Sequence, residues 1–285
     1  MSAPSQTGTV RILNNDDLRD VIRVLLQQPV DSVFVASRIR RAGLEEFQLG
    51  AQIWGYEEDG QLLSLCHAGA NLVPVEASDA ALAAYVERCG PQRRCSSITG
   101  PAEVALKFHR MLIDRWGGSW LNPREIRAHQ PVMTIEEDPH IEGDPRVRRM
   151  GNEDLAAYYP AAVAMYTEEV GTSPVTPDNP DSYKFYVRNL IATGSAFGIV
   201  DNGATVFKAD LGSVTAAVCQ VQGVWIDPDH RGQGLAAPAM ASVVRMAREQ
   251  IPVVSLYVND FNTPARKTYQ RVGFQETGEF ATILY

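Results

Sequence analysis

Apolar positions recur along the second half of the chain in two spacings, and each spacing predicts one kind of element. Alternating apolar and polar residues predict half-buried strands, whereas apolar residues three or four apart predict amphipathic helices. Strands are predicted over residues 196–200, 204–210, 214–226 and 253–258, and helices over 182–192, 235–250 and 264–272. Two short strands separated by Gly278 follow. The order predicts a mixed α/β fold, with a largely antiparallel sheet flanked by helices.

Local signals set the bounds of these elements. Asn152 is a favourable helix N-cap, and Pro160 is expected to interrupt the helix that follows it. The strands over 196–226 form a meander whose turns are assigned to Asn202-Gly203, a strong hairpin pair, and to Leu211–Ser213. Thr263 is predicted to cap the last helix, because its hydroxyl can accept a bond from a free N–H group of the first turn.

Two segments of the first half have counterparts in the second half. Val10–Leu18 resembles Val147–Leu155, which begins 137 residues later, and both predict a short strand, a polar cap and a helix. Trp54–Gly60 resembles Phe197–Gly203, where a strand enters an Asp-Gly or Asn-Gly hairpin. Two similarities in the same order favour a tandem duplication, although any α/β chain contains some look-alikes. The Pro- and Gly-containing stretch Glu136–Pro145 is the predicted junction.

The most informative segment is Gln222–Ala236. A strand ends in the turn Asp227-Pro228, and a loop with Gly232 and Gly234 opens directly into a helix. The free N–H groups and partial positive charge of a helix N-terminus bind anions, and glycines allow a ligand to approach them closely. Arg231 adds a full charge, so the loop is predicted to hold a pyrophosphate. It is neither a Walker A loop nor a Rossmann fingerprint, because neither motif is completed.

Three motifs in this region resemble one family. Arg231–Ala236 resembles the Arg/Gln-x-x-Gly-x-Gly/Ala signature of the GNAT acetyltransferase superfamily. Val224–Pro228 resembles the family's central strand and the turn after it, and Asn262–Phe274 resembles its segment Asn-x-x-Ala-x-x-x-Tyr-x-x-x-Gly-Phe. The resemblance implies the GNAT fold and acetyl-CoA as the acyl donor.

The resemblance also implies how CoA binds. In this fold the pantetheine arm pairs with the edge of the central strand, as an added strand would. The implied pantetheine-binding backbone is that of Val224, Trp225 and Ile226. The residues implied to bind the remainder of the cofactor are Arg231, Gly232, Gln233, Gly234, Leu235, Ala236, Asn259, Asn262 and Tyr269. Gly223, inside the strand, indicates either a bulge with close backbone approach or a simple bend.

The catalytic residues are less completely specified. The resemblance implies that Tyr269 protonates the leaving thiolate, since phenol and thiol pKa values of ~10 and ~8.5 are close. A plain core aromatic is the alternative. The central strand offers no carboxylate before Asp227, which leaves Glu168, Glu169, a chain of water molecules or, more weakly, Asp210 as the base. Glu168 and Glu169 could equally form a solvated helix end.

The first half shows no counterpart of Arg231–Ala236. At the place where such a loop is expected, Ser97–Glu103 has one glycine, no adjacent cation and an early glutamate, which would repel a phosphate. Ala102–Trp116 nevertheless has helical spacing. We therefore predict a degenerate GNAT-like domain without a cofactor site over 1–138 and an acetyltransferase domain over 146–285. This tandem arrangement is similar to that of mycothiol synthase and its relatives.

Composition narrows the partners. The net charge of −8 argues against nucleic acid as a partner, because such binding needs phosphate neutralisation. The four cysteines lack metal-ligand spacing, so no metal is expected. No apolar run suits a membrane, and Met1–Thr9 lacks the features of a secretory signal, which predicts a cytoplasmic protein. The expected acceptor is a primary amine of a small molecule or peptide. A non-catalytic acyl-CoA-binding regulator or scaffold is the alternative.

Overall fold

The computed structural model describes residues 8–178 and 180–285, so most of the segment Met1–Thr9 lies outside the described residues. The chain forms two compact units. The first comprises the described residues up to Val132 together with Tyr257–Phe261 and Thr277–Tyr285, and the second comprises Met133–Leu256 and Asn262–Glu276. This division differs from the predicted ranges 1–138 and 146–285, because the last strand of the chain pairs with a strand of the first unit.

The described elements of the first unit follow one another along the chain. They are β1 (Thr9–Ile12), α1 (Leu18–Leu25), α2 (Pro29–Ala42), α3 (Glu46–Leu49), β2 (Gln52–Glu58), β3 (Gln61–Ala68), β4 (Asn71–Val75), α4 (Asp79–Cys89), β5 (Ser97–Pro101), α5 (Ala102–Trp116) and β6 (Glu125–Ile135). The end of β6, from Met133, belongs to the second unit.

The second unit repeats this order. Its described elements are β7 (Arg148–Arg149), α6 (Leu155–Val170), α7 (Ser182–Ala192), β8 (Ala196–Asp201), β9 (Ala204–Val214), β10 (Val218–Ile226), α8 (Ala236–Arg248), β11 (Val253–Tyr257) and α9 (Thr263–Val272). The final strand, β12 (Gln275–Leu284), belongs to the first unit from Thr277 onward.

The strand pairings are the same in both units. In the first unit β1, β2, β3 and β4 pair antiparallel in sequence, and β4 then pairs parallel with β5. In the second unit β7, β8, β9 and β10 pair antiparallel in sequence, and β10 then pairs parallel with β11. The predicted fold, a mixed and largely antiparallel sheet flanked by helices and present in tandem, is confirmed.

The two units also share an ion pair at the start of the fold. Arg11 donates to both carboxylate oxygens of Asp17, at 2.9 and 2.6 Å. Arg148 donates to both oxygens of Asp154, at 2.6 and 2.7 Å. Each aspartate also accepts from a backbone N–H three residues earlier. Because both residues of the pair recur 137 positions later, the pair supports duplication independently of the pairing pattern.

Helices cover both faces of the first unit's sheet. Successive residues of β2 point to opposite faces, as in any strand. Ile53 belongs to one buried cluster with Val24 of α1, whereas Trp54 belongs to another with Phe108 of α5. In the second unit, Tyr158 of α6 packs in one cluster with residues of α7 and β8. Over the described residues, none of the helices combines the length and apolar character needed to span a bilayer.

Three predicted bounds are wrong. Helix α6 continues through Pro160, which costs it one backbone bond without ending it. The meander turns at Thr215–Ala217 instead of Leu211–Ser213, because the Thr215 hydroxyl accepts from the N–H groups of Ala217 and Val218. β12 is one continuous strand that includes Gly278. The predicted Asn202-Gly203 hairpin is present, with both residues at positive φ.

Candidate functional site

The central strand of the second unit contains a bulge at Gly223. Gln222 pairs with Asp210 and Trp225 with Lys208, so β10 carries one extra residue between these pairs. Gly223 has a φ of +59°, and a Cβ placed there would lie 2.9 Å from the Lys208 Nζ and 3.0 Å from an Asp210 oxygen. Both the backbone conformation and the lack of space therefore require glycine. The expectation of a bulge at this position is confirmed.

The bulge lies where β10 diverges from β11. The parallel pairing runs from Val218↔Val253 to Gln220↔Ser255, and over the described residues it extends no further. β10 itself continues to Ile226. Val224, Trp225 and Ile226 therefore lie beyond the paired part of the strand on its β11 side. This arrangement leaves a strand edge of the kind that an extended amide-containing ligand can join.

The loop after β10 presents backbone N–H groups without acceptors. Asp227 caps a short 3₁₀ turn, Pro228–His230, and α8 begins at Ala236. Gly232 and Gly234 have φ values of +74° and +78°, and a Cβ on either would meet open space. Over the described residues, the N–H groups of Gly232–Ala237 find no protein acceptor. A row of free donors at a helix N-terminus is a site for an anion.

Arg231 joins three elements around this loop. Its guanidinium donates to the Ile226 carbonyl at 2.9 Å and to both carboxylate oxygens of Glu168, at 2.9 and 2.8 Å. Glu168, near the end of α6, also accepts from the indole N–H of Trp225 at 3.1 Å. The predicted base Glu168 therefore accepts from two donors, Arg231 and Trp225, and links the loop to α6.

A second carboxylate lies close to Tyr269. Tyr269 is on α9, is 7% exposed and packs edge-on against Phe274. Burial and the charge of Glu169 both raise its pKa. The charge of Glu169 also contributes to the raised pKa of Tyr183 on α7, after burial and three larger electrostatic effects. Glu169 is thus near both tyrosines, whereas the Tyr269 hydroxyl finds no hydrogen-bond partner in the described part of the chain.

Beneath the bulge lies a buried ion pair that the sequence interpretation missed. Lys208 on β9 is 0% exposed, and its Nζ donates to Asp210 at 2.6 Å and to the Gly223 carbonyl at 2.7 Å. The second Asp210 oxygen accepts from the Tyr158 hydroxyl at 2.6 Å. Both carboxylate oxygens of Asp210, the weaker candidate base, are therefore bound, one to Lys208 and one to Tyr158. Lys208 instead fixes the bulge carbonyl from inside; its signal was a charge within the apolar run of β9.

An aromatic cluster lies next to the bulge. Tyr183 lies 5.4 Å from Tyr166 and 5.8 Å from Tyr186, measured between ring centres. The side-chain amide of Gln222, just before the bulge, donates to the Tyr186 hydroxyl at 2.7 Å. The cluster therefore adjoins both the bulge and Glu169. We call these three tyrosines the tyrosine cluster. Sequence reasoning missed it because α6 and α7 are distant in the chain from β10.

Three predicted cofactor residues have side chains with other contacts. Asn262 is the N-cap of α9, with its side chain accepting from the Ala265 N–H at 3.2 Å, so the assignment of Thr263 as the cap is wrong. Asn259 belongs to the first unit, where its side-chain oxygen accepts from Gln130 at 2.9 Å. Gln233 binds its own loop through the Asp229 carbonyl, which leaves its backbone N–H as the group available to a ligand.

The first unit shows where its counterpart of the anion loop lies. The strand corresponding to β10 is β4, and the loop before α4 is Glu76–Ser78, so the predicted location Ser97–Glu103 is wrong. The Ser78 side chain accepts from the Ala81 N–H. Asp31 and Glu76 line an adjacent cavity of about 330 Å³. Burial raises the pKa of both carboxyls, and each would be a poor neighbour for a phosphate when ionised.

The four cysteines are free thiols. Burial raises the pKa of Cys89 and of Cys219 to about 12, so both thiols stay protonated at neutral pH. Burial also raises the pKa of Cys95, to about 11. Within residues 8–178 and 180–285, no cluster of three or more His, Cys, Asp or Glu side chains is arranged to hold a metal ion.

Comparison with known proteins supports the tandem fold. The Acetyltransferase (GNAT) family model matches residues 156–274, and a domain of unknown function (DUF4081) matches residues 51–158. No curated protein matches the chain.

Solved structures resemble the chain over nearly its whole length. A tandem GNAT protein from the clavulanic acid biosynthesis pathway has 11% identity and a TM-score of 0.58, covering 97% of this chain and 98% of that one. A GCN5-related N-acetyltransferase from Sphaerobacter thermophilus has 17% identity and a TM-score of 0.57, covering 99% and 96%. A GNAT-family acetyltransferase from Colwellia psychrerythraea has 14% identity and a TM-score of 0.57, covering 97% of this chain and 99% of that one. At these identities the likeness establishes the fold.

Proposed function

Because residues 156–274 match the GNAT acetyltransferase family model, we propose that the protein moves an acetyl group from acetyl-CoA to a primary amine of a small molecule or peptide. The observation that carries this proposal is the row of acceptor-free N–H groups over Gly232–Ala237, placed directly after a bulged strand edge. A diphosphate needs several donors in one place, and a pantetheine arm needs an open strand edge.

The proposed binding mode uses backbone groups for most contacts. The N–H groups of Gly232–Ala237 would bind the diphosphate, with support from the partial positive charge of the α8 N-terminus. The edge over Val224–Ile226 would pair with the amides of the pantetheine arm. Arg231 contributes mainly by bracing the loop through Glu168 and the Ile226 carbonyl, since both contacts are already present.

The proposed chemistry is direct transfer in a ternary complex. The neutral amine attacks the thioester carbonyl, the carbon–sulfur bond breaks, and the thiolate receives a proton from Tyr269. A raised pKa keeps the Tyr269 phenol protonated at neutral pH, so the donor form is fully populated before each turnover. Among the candidate bases we assign the role of base to Glu169, because its charge acts on Tyr269, the proposed proton donor.

The surroundings of Glu169 favour a cationic acceptor. The tyrosine cluster offers aromatic faces, which attract ammonium groups, and the charge of Glu169 adds a full electrostatic attraction. An amine arriving as an ammonium ion would meet aromatic rings and a carboxylate together. Glu169 would then accept the proton that the amine must lose before it attacks.

Release of free CoA thiol from acetyl-CoA tests the proposal, measured with a panel of primary amines and without any amine. Amine-dependent thiol release, with a new amide detected by mass spectrometry, is the expected result. CoA binding without thiol release for any amine would instead support a non-catalytic carrier or regulator. Absence of CoA binding would remove both functions.

A further inference from the structure

The first unit contains a second cavity, separate from the residues proposed for acetyl transfer. It has a volume of about 420 Å³ and lies beside the start of β2 and the end of α4. Trp54, Leu72 and Trp120 line it, and all three are buried. Arg88, Arg94 and Glu46 also line it and are exposed at its rim. Ligand sites of this size are commonly apolar inside, with a few polar groups at the mouth.

The two rim arginines lack carboxylate partners over the described residues. Arg93, next in sequence to Arg94, donates to the carbonyls of Ser119 and Cys95. Arg88 instead lies over the Trp54 ring, with its guanidinium carbon 5.1 Å from the ring centre. In a protein with a net charge of −8, two unpaired guanidinium groups at one cavity are an uncommon concentration of positive charge.

The remaining rim group does not neutralise this charge. The Glu46 carboxylate accepts from the side-chain amide of Gln52 at 3.0 Å. The indole N–H of Trp54 donates to the other side-chain atom of the same amide group, at 2.9 Å. Trp54, Gln52 and Glu46 therefore form a chain of hydrogen bonds, and the single carboxylate of Glu46 offsets only one of the two arginine charges. The cavity combines an aromatic interior with an excess of positive charge at the rim.

We propose that this cavity binds a small aromatic carboxylate. Its ring would lie against Trp54 and Leu72, and contact between these apolar surfaces would stabilise the complex. Its carboxylate would accept hydrogen bonds from Arg88 and Arg94, whose planar guanidinium groups suit a carboxylate. An inorganic anion would leave the aromatic interior empty, and a neutral aromatic compound would leave both arginines unpaired. The site is independent of acetyl transfer, since its lining residues belong to the first unit.

Titration with 3-phenylpropionate tests this site, followed by tryptophan fluorescence and by calorimetry on the full chain. The neutral 3-phenylpropanamide, which has nearly the same shape, is the matched ligand. We expect saturable binding of the acid at one site per chain and at least tenfold weaker binding of the amide. Gly234→Glu, aimed at the acetyl-CoA loop, should leave acid binding unchanged, so failure of the two proposals can be told apart.

Substitutions at the rim complete the test. The double variant Arg88→Gln, Arg94→Gln should bind the acid at least tenfold more weakly and should keep the thermal unfolding transition of the parent, because both side chains are exposed. Arg110→Gln, at another exposed arginine, should bind as the parent does. Absence of saturable acid binding, equal affinity for acid and amide, or parental affinity in the double variant would each overturn the proposal.

Discussion

The two units differ in the loop that connects the fourth strand of each unit to the helix that follows it. In the first unit three residues, Glu76–Ser78, connect β4 to α4. The Ser78 side chain accepts a hydrogen bond from the helix N–H group of Ala81. In the second unit nine residues, Asp227–Leu235, connect β10 to α8 and leave the N–H groups of Gly232–Ala237 without acceptors. We therefore expect the same strand–helix order to yield an anion site in only one unit. The length and charge of the loop decide this, whereas the fold does not.

The last helices of the two units differ in the same direction. Counted from the first residue of each helix, Phe108 of α5 occupies the place of Tyr269 of α9. Both side chains are buried, but only the tyrosine carries a hydroxyl that can donate a proton. The strands differ too, since β3 and β4 pair without a bulge over Leu65↔Val75 to Ala68↔Leu72. The first three predictions below each act on one of these differences in the second unit.

The largest effect is expected from Gly234→Glu, which introduces a carboxylate into the second loop as Glu76 does in the first. Repulsion of the diphosphate and the positive φ of +78° should weaken CoA binding at least about 100-fold. Calorimetric titration with CoA measures this. Gly203→Glu is the matched control, because Gly203 has a φ of +81° and equally open surroundings but lies in a hairpin turn. Equal loss of affinity in both variants would contradict the site.

The bulge is expected to depend on Lys208. Lys208→Met leaves Asp210 buried and uncompensated, which should lower the free energy of unfolding by about 3–5 kcal/mol. Adding Asp210→Asn to the same chain should restore much of this stability, because it removes the unpaired charge. CoA affinity should stay below that of the parent in the double variant, since the Gly223 carbonyl has lost its donor. Full recovery of affinity would show that Lys208 serves stability alone.

Tyr269→Phe gives the second unit the aromatic ring that Phe108 provides in the first. The packing against Phe274 is preserved, so the affinity for CoA should remain that of the parent. Loss of the proton donor should lower kcat about 100-fold, the lower end of the range for general acid catalysis. Steady-state kinetics with a saturating amine measure the two effects separately. Tyr166→Phe is the control, and an unchanged kcat in Tyr269→Phe would remove Tyr269 from the mechanism.

Smaller effects are expected at the end of α6. Glu169→Gln should lower kcat by no more than about 100-fold, the lower end of the range for general base catalysis, because a chain of water molecules can take over part of the proton transfer. It also removes a charge that raises the pKa of Tyr269. Tyr269 should then deprotonate at a lower pH, so the alkaline limb of the pH profile of kcat should shift to lower pH. Glu168→Gln, its neighbour, should mainly weaken CoA binding, by about 1 kcal/mol or less, because an exposed ion pair is lost. A lower kcat in Glu168→Gln together with weaker CoA binding in Glu169→Gln would contradict this assignment and exchange the roles of the two glutamates.

Local signals predicted much of the second unit. The helix Ser182–Ala192 has the bounds expected from apolar spacing, and Asn202-Gly203 forms the expected hairpin. The loop over Gly232 and Gly234 was recognisable because helix initiation and glycine conformation are properties of neighbouring residues. The turn at Thr215–Ala217 was not, because Gly212 suggested a turn where the side chain of Gln222 packs closely across the strand.

Contacts between distant segments could not be predicted from the sequence. Glu168 and Glu169 appeared equivalent, but only the structure pairs Glu168 with Arg231, 63 residues away. Lys208 was a charge in an apolar strand, and its partners lie across the sheet at Gly223 and along the strand at Asp210. The pairing of the final strand, β12, with β5 of the first unit also has no local signal, because the partner of a strand depends on the whole sheet.

Hydrogen–deuterium exchange with and without CoA tests the central claim most directly, because it reports on backbone N–H groups themselves. We expect CoA to slow exchange over Gly232–Ala237 and along Val224–Ile226. The counterpart in the first unit, Glu76–Ala81, should exchange at the same rate with and without CoA. Protection of the first loop, or of neither loop at a CoA concentration that saturates binding, would contradict the account.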